Sequence, residues 1–418
     1  LHSVKGEKVC FIRYTINHTP KKRMSNRLYT GSTHFIAFSL CMVLLVGCAA
    51  ERRYEVGIRR LASELPPQSA AAISASRRGA WLAWMGDLAA PDLYVQAADS
   101  DHALQFPISA QPRRLSVLPL ADRRLVLLWL EVAEDNTARL VSATLEAEGS
   151  LRRAPFEVAS ADAYHALPTP NGGVIALAVN NGVLSAVPLD ALGRPRAAVR
   201  LAEAAGLPAA AFDSADRLHV VWFTPSSGQL WSLMYMAFSA AQLEQPTPSL
   251  PTPIPLAVLR LEDGQFFESL SVGTDAQSVY VVWNVVSVAA TGESARLAGI
   301  RFPQTASSRS TALDLSALPP NLRGVSIPAA DPLQGGAPTV VGSLPPDQIA
   351  YGALTRQGVF RVRQIKAALD GERLSGSVAA ALSSNNALHL AWFTLDAYGK
   401  AALQYATYPR PQPAAALN

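Results

Sequence analysis

Short apolar runs closed by turn-forming residues recur along the chain from about Leu61, and their alternation sets the expected structure. Leu218-His219-Val220-Val221-Trp222-Phe223-Thr224 returns 170 positions later as Leu388-His389-Leu390-Ala391-Trp392-Phe393-Thr394. Ser214/Ser384, Leu233/Leu403 and Tyr235/Tyr405 keep the same offset without a gap, which marks an internal repeat. More divergent copies are Ser278-Val279-Tyr280-Val281-Val282-Trp283, Arg124-Leu125-Val126-Leu127-Leu128-Trp129 and Ala80-Trp81-Leu82-Ala83-Trp84. A turn signal precedes each: Asp213 to Asp216, Asp275, Asp122, Asn385-Asn386, and Ser76 to Gly79. Val174 to Val179, after Asn171-Gly172-Gly173, is a copy that lacks the tryptophan. The gap from Trp283 to Trp392 is about twice the others, so a degenerate copy is expected at Ala337 to Gly342, with Ile349-Ala350-Tyr351 as its partner strand.

Each unit continues with a returning strand. Thr137 to Leu145 follows Trp129, Ser294 to Phe302 follows Trp283, and Asn180-Asn181-Gly182 supplies a tight hairpin in the third unit. Turns at Leu145 to Gly149 and Leu189 to Gly193 lead on to a further strand. Short strands with a period of about 45 to 60 residues predict an all-β chain, a β-propeller of seven blades, with six or eight left open. The tryptophan-bearing run is expected to be the innermost strand of its blade, since burial on both faces gives a near-continuous apolar run. Pro246 to Pro255 favours polyproline II and reads as an exposed loop (245–256) between blades four and five, or as a domain linker.

A turn Asp or Asn followed by Leu-His-Val-Val-Trp resembles strands of the sialidase-like and related β-propeller repeat families, over most of residues 70–408. That resemblance implies a fold that hosts enzymes, lectins and scaffolds alike. A sialidase-like enzyme would need an arginine cluster, a tyrosine nucleophile with a glutamate, and an aspartate acid/base. Ile300-Arg301-Phe302-Pro303 only partly matches the family's F/Y-R-I-P motif, and no unit contains S-x-D-x-G-x-T-W. No catalytic residue is therefore assigned.

Composition changes the picture at the N-terminus. Residues 1–47 hold seven basic residues against the single acid Glu7, so of the formal +4 the remaining residues 48–418 carry a net of −2. A nucleic-acid partner held by phosphate neutralisation loses its main support. Cys10, Cys41 and Cys48 are the three cysteines, which excludes disulfides, cysteine nucleophiles and thiolate zinc sites from the body. His102, His165, His219 and His389 show no helical metal-site spacing, and no nucleotide fingerprint is present, so no metal or cofactor is expected.

The order basic (Met24 to Arg27), apolar (Phe35 to Val46), small, cysteine suits an export signal and is shorter than a transmembrane helix. Leu45-Val46-Gly47-Cys48 resembles the lipobox of bacterial lipoproteins. The resemblance implies cleavage before Cys48 and acylation, with palmitate among the chains, as a stable membrane anchor in the cell envelope. Ordinary signal cleavage near Ala49 is the alternative. Expected segments are 1–23 (untranslated, or an extended basic region), 24–47 signal peptide, 48–65 tether, 66–408 propeller and 409–418 disordered tail; residues 49–60 could instead supply a closing strand.

His219, Tyr280 and His389 share one repeat position, which suggests either channel-lining ligand binders or a hydrogen bond repeated in each blade. Trp222, Trp283 and Trp392 read as packing residues or as sugar platforms. Glu131, Glu134, Asp135, Glu262 and Asp263 fall in expected loops. Beyond Cys48 lysine is represented by Lys366 and Lys400 alone, so arginine dominates and would suit anionic partners. The expected function is an exported, Cys48-anchored, monomeric propeller that binds a ligand, protein or glycan, or acts as a scaffold. A sialidase-like glycoside hydrolase is the alternative.

Overall fold

The computed structural model describes residues 57–411, except 68, 77–78, 87–91, 109–111, 121–123, 133–136, 147–149, 291, 306–309 and 330–335. Among the described residues the body forms seven four-stranded antiparallel sheets, each built from consecutive strands save the last. The first strands are Ala71–Ser76, Pro112–Pro119, Ala163–Pro168, Gly206–Phe212, Gln265–Thr274, Arg323–Ser326 and Arg373–Leu382. Each of these packs against the first strand of the next blade, and the seventh returns to the first. The result is a closed seven-bladed β-propeller.

The seventh blade draws its outer strand from the other end of the body. Arg59–Leu65, inside the segment expected to be tether, pairs antiparallel with Ala401–Pro409, Arg60 opposite Gln404 and Leu65 opposite Ala401. Lys400 to Glu64 at 3.2 Å and Arg60 to Glu372 at 2.6 Å reinforce the seam at its exposed rim. The cysteines and the signal segment lie outside the described residues, as do residues 412–418, whereas Arg410 is buried and donates to the Ala337 carbonyl.

The tryptophan-bearing runs are the second strands and not, as their hydrophobicity suggested, the innermost ones. Strand Arg217–Pro225 shows why. Leu218, Val220 and Trp222 pack with blade three, while Val221 and Phe223 pack with Val281 and Trp283 of blade five. Both faces are covered by neighbouring blades, so the strand reads as a continuous apolar run. The innermost strands meet the channel along one edge and need less hydrophobicity; Ala71–Ser76 is Ala-Ala-Ile-Ser-Ala-Ser.

Each tryptophan faces the preceding blade: Trp129 packs with blade one, Trp283 with blade four, Trp392 with blade six and Trp84 with blade seven. Blade three has Ala178 in that place, and its cross-strand neighbour Tyr164 fills the layer against blade two. The tight hairpin at Asn181-Gly182 uses two positive φ values, 48° and 79°, as a type I′ turn demands. The proline-rich segment lies within blade four, after the short helix Ala240–Leu243, and carries the chain to the outer strand Ile254–Arg260.

Trp222 is fully buried and Trp231 only partly. Trp222→Ala should therefore lower stability by about 3–5 kcal/mol, and Trp231→Ala by clearly less, as read from urea unfolding of the full chain. Equal losses would contradict the inter-blade role of the repeated tryptophan.

Candidate functional site

The shared repeat position is structural. His219 is fully buried; its Nε2–H donates to Asp213 Oδ2 at 3.0 Å, and its Nδ1 accepts from the Tyr235 hydroxyl at 2.8 Å. His389 repeats this with Ser383 Oγ at 3.0 Å and the Tyr405 hydroxyl at 2.8 Å. Tyr280 donates to Asp275 Oδ2 at 2.7 Å. In each blade the side chain ties the second strand to the turn that leads into it. Asp213 Oδ1 in turn accepts from the Ala215 and Arg217 amides, and Asp275 Oδ1 from those of Gln277 and Ser278, so each aspartate closes its own turn. Burial alone would raise the Asp213 carboxyl; the hydrogen bonds from His219 and from the backbone amides hold it far below the carboxylate range.

Glu131, expected in a solvated loop, ends the strand Leu125–Val132 and is buried. It accepts from Trp129 Nε1 at 2.8 Å and from Arg139. Glu134 and Asp135 lie outside the described residues. Glu262 and Asp263 are exposed loop residues, Asp263 accepting from Gln229. His102 is exposed in a loop. Arg301 is on the third strand of blade five, paired with the outer strand and not among the channel-lining residues. Among the described residues no cluster of three metal-ligating side chains occurs, and no helix is long and apolar enough to cross a membrane.

What the repeats do not share is the wall of the channel. All seven innermost strands line one cavity of about 1230 Å³. In five of them the pairing with the second strand is interrupted by a bulge, at Pro112/Leu115, Gly206/Ala209, Phe267/Ser269 and Ser375/Ala379 and across the whole short strand at Arg323/Ser326. Bulges re-aim side chains at the rims of closed sheets. Three of these use left-handed backbone, at Leu207 (φ 46°), Gly324 (φ 54°) and Gly376 (φ 73°). At Gly324 a Cβ would meet Ser377 Cβ at 2.7 Å, so the bulges of blades six and seven approach too closely for a side chain there.

The bulges bring charge to this mouth. Glu268 accepts from Arg323 Nε at 2.7 Å, the Gly324 amide at 2.8 Å and Asn284 Nδ2 at 2.5 Å, and Arg323 also donates to Glu293. Burial would raise the Glu268 carboxyl, but Arg323 and these donors hold it below its ordinary value. Arg113 and Arg114 fill the bulge of blade two and have no acid partner among the described residues. The Arg114 guanidinium lies 5.5 Å from the centroid of the Tyr164 ring. Nearby, His165 Nε2–H donates to the Ala210 carbonyl at 3.1 Å; burial, then the charge of Arg114, lowers its pKa to about 4, so the ring is neutral. The Tyr164 hydroxyl donates to the Leu128 carbonyl at 2.8 Å, and burial pushes its pKa up to about 12. A phenol so sealed is no nucleophile, and the glycosidase alternative gains nothing from it.

Fold and wall together define a seven-bladed propeller with a solvent-open channel of mixed apolar and polar lining. No protein-family pattern and no curated protein matches the chain. Among solved structures it is similar to a protein of unknown function from Dyadobacter fermentans, at 12% identity over 71% of this chain and 94% of that one, with a TM-score of 0.48. It is also similar to a streptogramin B lyase, at 11% identity over 85% and 100% with a TM-score of 0.46. For virginiamycin B lyase from Staphylococcus aureus the identity is 12% over 84% and 99%, with a TM-score of 0.45. The blade count rests on this chain's own strand pairing, and these likenesses carry no chemistry to it.

The buried Asp213 and the hydroxyl of Ser383 hold equivalent histidines. Asp213→Ala removes the buried acceptor of His219 Nε2 and of Arg217 and should cost roughly 3 kcal/mol, against about 1 kcal/mol for Ser383→Ala, measured by urea unfolding. The Asp213 pKa is lower in the folded chain than its ordinary 3.8. Its contribution is thus full above that value and is lost as pH falls through the folded one. The stability gap between wild type and Asp213→Asn should narrow below about pH 4; a gap that widens there would contradict the pairing.

Proposed function

We propose that the chain is an exported bacterial lipoprotein, anchored through acylated Cys48, whose propeller serves as a binding module and takes its ligand at the bulged mouth of the channel. The observation that carries the binding half is the cavity of about 1230 Å³, lined by all seven innermost strands, five of them bulged, where the charged residues Arg113, Arg114, Glu268 and Arg323 come from only three blades. A purely structural ring needs no charge confined to a few of its blades, whereas a site needs unlike side chains on a rigid frame. The location rests on the basic, apolar and small segments that end in Leu45-Val46-Gly47-Cys48.

Metabolic labelling with a fatty acid should mark wild type and not Cys48→Ser, and the variant should leave the membrane fraction. Equal labelling of both would end the anchor. For binding, thermal shifts of the purified full chain in detergent should respond to at least one of phosphate, citrate, glucuronate, glucose or spermidine. A panel silent throughout would count against the module.

A further inference from the structure

The binding reading can be sharpened to a ligand class. We propose that Arg113 and Arg114 form a site for an oxyanion, a carboxylate or phosphate group on a small soluble molecule that enters the channel at the bulged mouth. The inference rests on the reading of the propeller as a binding module.

Four observations meet here. First, the two arginines occupy the bulge between Pro112 and Leu115, where strict alternation fails and adjacent side chains can both serve the channel that they line. Second, of the arginines lining the cavity, Arg323 is neutralised by Glu268 and Glu293, while Arg113 and Arg114 have neither an ion pair nor a hydrogen-bond acceptor among the described residues. Third, Arg113 and Arg114 are both exposed to the channel's solvent, so their guanidinium donors are accessible to a ligand that enters it. Fourth, the nearby groups do not compete for it. The Tyr164 hydroxyl is committed to Leu128, and neutral His165 gives its Nε2 proton to Ala210.

Guanidinium suits this task because its planar fork presents paired N–H donors to the two oxygens of a carboxylate or phosphate. The Arg114 plane lies near the Tyr164 ring, which supports one orientation of the fork. The Leu207-Pro208 bulge, two blades further round the same channel, is apolar, so a ligand with an anionic head and a compact uncharged body fits the mouth better than a polyanion.

The test is calorimetric titration of the full chain in detergent with inorganic phosphate, citrate and glucuronate, with glucose and spermidine as controls. At least one anion should bind, and Arg114→Ala and Arg113→Ala should each weaken it by about tenfold or more, the range of a charge-assisted hydrogen bond. Arg260→Ala, an exposed outer-strand change, should leave the affinity unaltered. If Arg114→Ala does not fold, Arg114→Lys keeps the charge without the fork and should weaken carboxylate binding. Preference between phosphate and carboxylates identifies the head group. Binding of glucose or spermidine without any anion would overturn the oxyanion site and leave the module intact; equal anion affinity in wild type and the Arg113→Ala/Arg114→Ala double variant would also overturn it.

Discussion

A ring of sheets holds only if its last member is completed, and here one strand pairing supplies that condition. Arg59–Leu65 lies beside Ala401–Pro409, joining two segments separated by nearly the whole body. Without it the seventh blade would expose the edge of its third strand, and the layer shared by blades seven and one would lose Leu61, Ala62 and Leu65. The closure entropy of so long a loop grows only slowly with its length, so one well-packed strand is enough to offset it.

Once the ring is closed, every blade is buried on two faces, and the layers between blades are the core. This explains the recurrent tryptophan and also its exceptions. Ala178 replaces it in blade three because Tyr164, one strand inward, already fills the space against blade two. The buried histidines follow from the same geometry. A second strand covered on both sides keeps water from its polar side chains, and Asp213, Ser383 and Asp275 supply partners to His219, His389 and Tyr280 from the adjoining turn.

The legible part of the fold was that core. The apolar runs, the returning hairpins, the weak sixth unit and the role of His219 as repeat grammar were all visible, because inter-blade burial imposes the same demand seven times. The innermost strands were not. Short segments such as Ala71–Ser76 and Arg323–Ser326 are small, polar and partly open to the channel, so they carry neither a strong period nor a long apolar run. Hydrophobicity therefore pointed to the second strand as innermost. Glu131 was misplaced for a related reason: a carboxylate at a strand end looks like a turn until Trp129 and Arg139 enclose it. Arg113 and Arg114 gave no signal, since a bulge is a property of pairing and two adjacent arginines in sequence read as a solvated pair.

Repetition thus builds a rigid frame, and the bulges spend its symmetry on one mouth. The account depends on the frame being closed as described, with Arg60 and Gln404 facing each other across the seam. The body beyond Cys48 contains no cysteine, so engineered pairs can be read without native thiols nearby. The most direct measurement is disulfide mapping by mass spectrometry of the full chain carrying Arg60→Cys and Gln404→Cys, beside a second chain carrying Thr394→Cys and Ala402→Cys, which are paired within the seventh blade. Closure predicts that both pairs cross-link in comparable yield under mild oxidation. A cross-link at 394/402 with none at 60/404 would contradict it.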